Sequence, residues 1–206
     1  TWVTLLVALI GLCSTISALF VKDWLDRRKE KKAAPMGEYF RRSHEVYQYL
    51  GTLRRKIKAN RALIIRAENG GGIPKPGSQI YISVVFESAD AAIEDCRNDF
   101  QRYPADGDYM GLLDDVFHKG YVHLVADEMD GGFLATYYKA NYIEQSEIMR
   151  LYADDTRFVY LSLNYAAPNE GGQSVDVKTA KHRDMLAQAR HKLSGIFSQT
   201  KELSES

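Results

Sequence analysis

The chain has 206 residues, 45% of them hydrophobic, which is enough for one domain of ordinary size with its own core. Lys plus Arg and Asp plus Glu each total 27, so the formal net charge is zero and no global basic field draws the protein to nucleic acid. The two cysteines, Cys13 and Cys96, are far apart, a pattern that argues against a disulfide framework or a cysteine-based zinc site and suits a reducing compartment.

Thr1 to Val21 (TWVTLLVALIGLCSTISALFV) holds no charged residue. Roughly 20 residues of helix span the ~30 Å hydrocarbon core of a bilayer, so residues 1–21 are expected to form a transmembrane helix. Trp2 and Trp24 stand near its ends, where indoles favour the headgroup level. A cleaved signal peptide would carry its basic residues first, whereas here they follow, in KDWLDRRKEKK. Lys22, Arg27 and Arg28, with Lys29, Lys31 and Lys32, should hold that side in the cytoplasm and meet lipid headgroups. Residues 22–37 thus form a basic juxtamembrane linker, and the bulk of the chain is expected on the cytoplasmic side of the membrane.

Residues 38–201 are expected to make one α+β domain, with 202–206 a frayed tail. Tyr39, Val46, Leu50, Leu53 and Ile57 recur at helical spacing. That stripe fits a helix laid on its own sheet, or a short parallel coiled coil leaving the membrane. ALIIRAEN and QIYISVVFES read as strands, the second with Ile80, Ile82, Val84 and Phe86 on one face. Between them GGGIPKPGS leads into a strand and lacks the Gly-Lys-Ser/Thr of a phosphate loop, so it reads as a bend. Ala89 to Tyr103 is expected to be helical, with Ala92, Ile93, Cys96 and Phe100 inward. YMGLLDDVFHKG is a second helix ended by Gly120, YVHLVADEM a strand, and FLATYYKANYI a short helix. SEIMRLYADDTRFVYLSLNYA reads as two strands about a turn, and residues 178–201 as a closing helix striped by Leu186, Ala189, Leu193, Ile196 and Phe197. The predicted architecture is a mixed, mainly antiparallel sheet of about five strands, with the N- and C-terminal helices covering one face.

This element order, with RALIIRAENGGG, IYISVVFES, DVFHKGYVHLVADEM, the short helix ATYYKANYI before SEIMRLY, and FVYLSLNYA, resembles a GAF domain, a relative of PAS and profilin-like sensor folds. The resemblance covers about Glu38 to Thr200. It implies small-molecule binding, dimerisation through terminal helices and signal relay without catalysis. No kinase, cyclase or phosphodiesterase sequence follows, so an output would pass through assembly or an unidentified protein partner. The resemblance names no particular cofactor.

The histidines His44, His118, His123, His182 and His191 form no metal-binding spacing, and no metal site is expected. Neither a nucleophile elbow nor a convergent acid–base pair is visible, so no catalytic residue is assigned and the protein is not expected to be an enzyme. A membrane-bound hydrolase would need convergent carboxylates or a His–carboxylate pair in a cleft. The expected ligand-binding residues are Arg66 and Tyr81, from the polar faces of the first two strands, and Tyr137 and Tyr138 on the short helix. The same polar faces fit an ordinary solvent-exposed sheet surface. The alternative function is a membrane-tethered interaction or scaffold module on the same fold, with no ligand.

Overall fold

The computed structural model describes residue 22 and residues 36–91, 93–166 and 179–204. The expected membrane helix, with Trp2, Trp24, Arg27 and Arg28, lies outside the described residues. Lys22 lies inside them and is exposed. Among the described residues, no helix is long and apolar enough to cross a membrane.

Two compact units are separable, residues 1–44 and 45–206. In the first, the described residues open helix α1 (36–57). Glu38 there accepts from Arg41 and Arg42, one turn ahead. Tyr39, expected on the buried stripe, is 61% exposed beside Phe40.

The second unit contains β1 (Arg61–Glu68), β2 (Tyr81–Ala89), β3 (Tyr103–Pro104), α2 (Gly107–Lys119), β4 (Tyr121–Val125), α3 (Gly132–Ala140), β5 (Ile143–Ala153), β6 (Arg157–Ala166) and α4 (Ala180–Ser204). A single 3₁₀ turn, Ala126–Glu128, joins β4 to α3. The strands form one sheet in the order β3-β2-β1-β6-β5-β4, and every pairing is antiparallel. The sheet therefore has six described strands rather than about five, and no parallel pair. The added one, β3, is two residues long and includes Pro104, which lacks an amide proton and suits an edge.

β1 is central, hydrogen-bonded to β2 and β6, and both its faces are covered. That is why it reads as the nearly unbroken apolar run ALII. On one face, Val46, Leu50, Leu53 and Ile57 of α1 pack with Leu186, Ala189 and Leu193 of α4 against Ala62, Ile64, Leu161 and Leu163. On the other, Leu63, Ile65, Ile82, Val84 and Ile148 meet Tyr109, Leu112, Leu113 and Val116 of α2. Burying each such aliphatic side chain contributes about 1.5–3 kcal/mol. α2 starts where the Asp106 side chain accepts from the Tyr109 amide, and it ends at Gly120, whose φ of 76° suits glycine.

The 89–103 helix does not form. Ala89 ends β2, and the described residues from 90 to 102 run as turns and bends. Several of their polar groups are met by β2 instead. The Val84 amide donates to the Phe100 carbonyl, the Gln101 side chain donates to the Val84 carbonyl, and the Cys96 amide donates to the Glu87 carboxylate. Tertiary hydrogen bonds thus displaced the local helical ones that the apolar spacing suggested.

A second departure is a bulge. Ile64 pairs with Phe86 but Ile65 pairs with Val84, leaving Val85 as the extra residue on β2. Beyond it the alternation inverts. Phe86, expected beside Ile82 and Val84, packs instead toward α1 and α4. Glu87, expected on the opposite face from them, becomes the cross-strand partner of Leu63 on the α2 face.

Candidate functional site

Between the sheet and helices α2 and α3 lies a cavity of about 40 Å³. Leu63, Ile65, Ile82, Val84, Leu112 and Ile148 give it apolar walls. α3 closes it with Leu134, Tyr137 and Tyr138. The closure is reinforced by aromatic contacts between α3 and the segment before β3. Phe100 meets Phe133 and Tyr137 edge-on, with centroids 5.8 and 5.0 Å apart, and Tyr103 stacks on Phe133 at 4.5 Å.

Polar groups line the far side. The Tyr109 and Tyr160 hydroxyls are 2.8 Å apart. Ser146 and Ser162 both donate to Asn164 Oδ1, at 3.0 and 2.9 Å. Burial pushes the Tyr109 phenol up to about 12 and Tyr160 well above its ordinary value, so both stay neutral.

A charged cluster adjoins Cys96 and Tyr137 at one end. Arg61, 3% exposed, ion-pairs with Glu87 at 3.1 Å, and it donates to the Tyr137 hydroxyl at 2.9 Å and the Glu94 carbonyl at 2.5 Å. Burial, then the bond to Asp95, pushes the Glu87 carboxyl up to about 7, against the pull of the Cys96 amide and Arg61. The same bond from Glu87 leads in holding Asp95 below its ordinary value. Burial pushes the Cys96 thiol up to about 11, so little of it is thiolate at neutral pH and it is a poor nucleophile.

The four residues expected to bind ligand fall on two sides of the sheet. Tyr137 and Tyr138 line the cavity. Arg66 and Tyr81 do not. They share the opposite face, where Arg66 pairs with Glu68 and Tyr81 lies under the Arg102 guanidinium, 4.8 Å from its ring centroid. Sequence reading missed Arg61, Glu87, Tyr109, Tyr160 and Asn164. Tyr160, Ser162 and Asn164 share one face of β6 by simple alternation, a signal the sequence carried, but nothing in it reported the bulge that brings in Glu87.

A second buried cluster sits on the α4 side. Glu147, 1% exposed, accepts from Tyr121 at 2.8 Å and Tyr165 at 2.6 Å, and its Oε2 is 2.6 Å from His182 Nε2. It is a His–carboxylate pair, but it ties β4, β5, β6 and α4 together and is not among the cavity lining. Both members are nearly fully buried, so this pair serves as a polar joint rather than as reactive groups open to a substrate. Among the described residues, no group of three or more His, Cys, Asp or Glu converges as a metal site.

Solved structures share this architecture. The GAF domain of a Synechocystis sp. PCC6803 protein in its photoproduct state matches at a TM-score of 0.50 and 14% identity, over 79% of this chain and 97% of that one. The fold is that of a GAF domain. The phycocyanobilin-bound GAF domain of a cyanobacterial phytochrome matches at a TM-score of 0.54 and 9% identity, over 81% and 90% of the two chains. The red-light-absorbing state of a red/green cyanobacteriochrome matches at 0.54 and 12%, over 79% and 97%. At these identities the likeness concerns the GAF fold alone. No protein-family model and no curated protein matches the chain.

Proposed function

We propose that this chain is a single-pass, membrane-anchored regulatory protein whose cytoplasmic GAF-type domain senses a small molecule in the cavity beneath α3. The observation that carries the reading is the placement of Tyr137 and Tyr138, on a short helix, as the closing wall of a cavity with a polar floor. A ligand there would bear directly on α3 and on the 90–102 segment that α3 clasps. Displacing that surface is the output, read by an unidentified protein partner or by a second copy meeting through the terminal helices.

Recognition without catalysis is the reading the chemistry favours. The buried thiol is held protonated, and the His182–Glu147 pair lies away from the cavity. A pocket for a drug-sized ligand measures roughly 300–1,000 Å³. At about 40 Å³ this cavity does not hold a tetrapyrrole or a nucleotide unless α3 moves. That small volume is what favours the second reading, a membrane-tethered interaction module that carries no ligand.

Native mass spectrometry of the full chain in mild detergent separates the two. Sensing predicts a discrete, retained small-molecule mass that is lost when Leu134→Phe fills the cavity. Spectra showing only apo protein, with partner binding unaffected by Leu134→Phe, favour the scaffold.

A further inference from the structure

We infer that the cavity takes an uncharged, compact molecule of a few heavy atoms carrying one oxygen acceptor, held by the Asn164 side-chain amide; this rests on the sensing reading above. Three observations carry it. First, the lining includes no Asp, Glu, Lys, Arg or His. The nearest charged groups, Arg61 and Glu87, are turned to each other and to Tyr137, Glu94 and Cys96. An ionic ligand would be desolvated with no counter-charge, at a prohibitive cost.

Second, Asn164 is 4% exposed and lines the cavity, with its Oδ1 occupied by the Ser146 and Ser162 hydroxyls. With Oδ1 so occupied, the Nδ2 amide hydrogens are what the Asn164 side chain has left to offer the cavity it lines. In the Tyr109–Tyr160 pair one hydroxyl donates to the other, which leaves the second proton available as well. The floor therefore offers donors, and it calls for an acceptor oxygen.

Third, a water needs roughly 10–15 Å³ of such volume. About 40 Å³ therefore admits about three water-sized groups, the bulk of a short ketone, alcohol or amide.

Acetone and acetate are nearly isosteric and differ in charge, which makes them the probes. Each is titrated into the ¹⁵N-labelled full chain in mild detergent and followed by NMR, with Leu134→Phe as the filled-cavity control. Acetone should give saturable shifts at the Asn164 side-chain amide and at Leu134, with a dissociation constant on the order of millimolar, as suits four heavy atoms. Leu134→Phe should abolish them, and Asn164→Leu should weaken them at least ten-fold. Saturable acetate shifts at the same residues, at equal or lower concentration, would overturn the neutral class while leaving the cavity a ligand site. Silence with both probes overturns this inference, and the sensing reading falls with it when native mass spectrometry also shows only apo protein. Should Asn164→Leu fail to fold, the wild-type comparison of the two probes decides alone.

Discussion

Glu87 is the residue at which burial and charge compete most directly. Its carboxyl is raised from an ordinary value of 4.5 to about 7, by burial first and then by the hydrogen bond with Asp95. A carboxyl raised in the folded state binds its proton more readily there than in the unfolded chain. Its contribution to stability is therefore full at low pH, declines as pH climbs from about 4.5 to about 7, and is flat above. Glu87→Gln keeps the neutral shape and removes the titration. Melting temperatures from pH 4.5 to 8 at constant ionic strength should fall less steeply for the variant than for the wild type. Parallel curves would mean that Glu87 ionises normally. Val84, 2% exposed on the same inner face, makes the simpler case. Val84→Asp buries an unpaired charge at a cost of several kcal/mol, comparable with the whole stability of many domains. Circular dichroism should show it largely unfolded at 25 °C.

At the scale of elements, α3 is the short helix that closes the cavity. It has nine residues, begins at Gly132 just after Gly131, both in positive-φ conformations, and is held by aromatic contacts with Phe100 and Tyr103. Gly132, at φ 81°, has no room for a β-carbon beside the Asp108 carboxylate. Gly132→Ala should cost about 1–2 kcal/mol, the penalty of a left-handed residue with a side chain. Hydrogen exchange should localise the effect, with faster exchange in α3 and unchanged protection in α4. The glycine-rich loop before β2 is of another kind. Gly70, Gly71, Gly72 and Gly77 have positive φ, but a strand follows them and no helix end faces an anion.

At the scale of the molecule, the sheet divides two tasks. α1 and α4 seal one face with a close-packed aliphatic core and the Glu147 joint. α2 and α3 cover the other and leave the cavity. α2 also carries the chain from one sheet edge, at β3, to the opposite edge, at β4. Residues 1–21 are proposed to hold this domain at a membrane. Deleting them should move the protein from the sedimenting membrane fraction to the supernatant while leaving its far-ultraviolet dichroism per residue characteristic of the same α+β fold. A truncated chain that still sediments with membranes would locate the attachment elsewhere.

Local chemistry was enough for much of this. The run ALII read as a strand, Gly120 ended α2 where its free φ is needed, and the i, i+4 spacing of Val46 and Leu50 marked the buried stripe of a helix that the structure lays on the sheet. These are interactions between near neighbours in the chain, and periodicity records them directly. It could not report where hydrogen bonds to distant residues outcompete local ones. The 90–102 segment has helical spacing, yet Glu87, Val84 and Gln101 tie it to β2. One extra residue, Val85, reverses the sides of everything after it, carrying Phe86 out and Glu87 in. The register of β1 with β2 puts Arg66 and Tyr81 on one face, but α2 and α3 enclose the cavity on the other. The amino-acid order by itself determined most of the elements and much of their buried stripes, because those depend on spacing. The bulge, the opposed faces and the meeting of Tyr109 with Tyr160 were decided only by tertiary structure, because each depends on which distant strands and helices come to lie side by side.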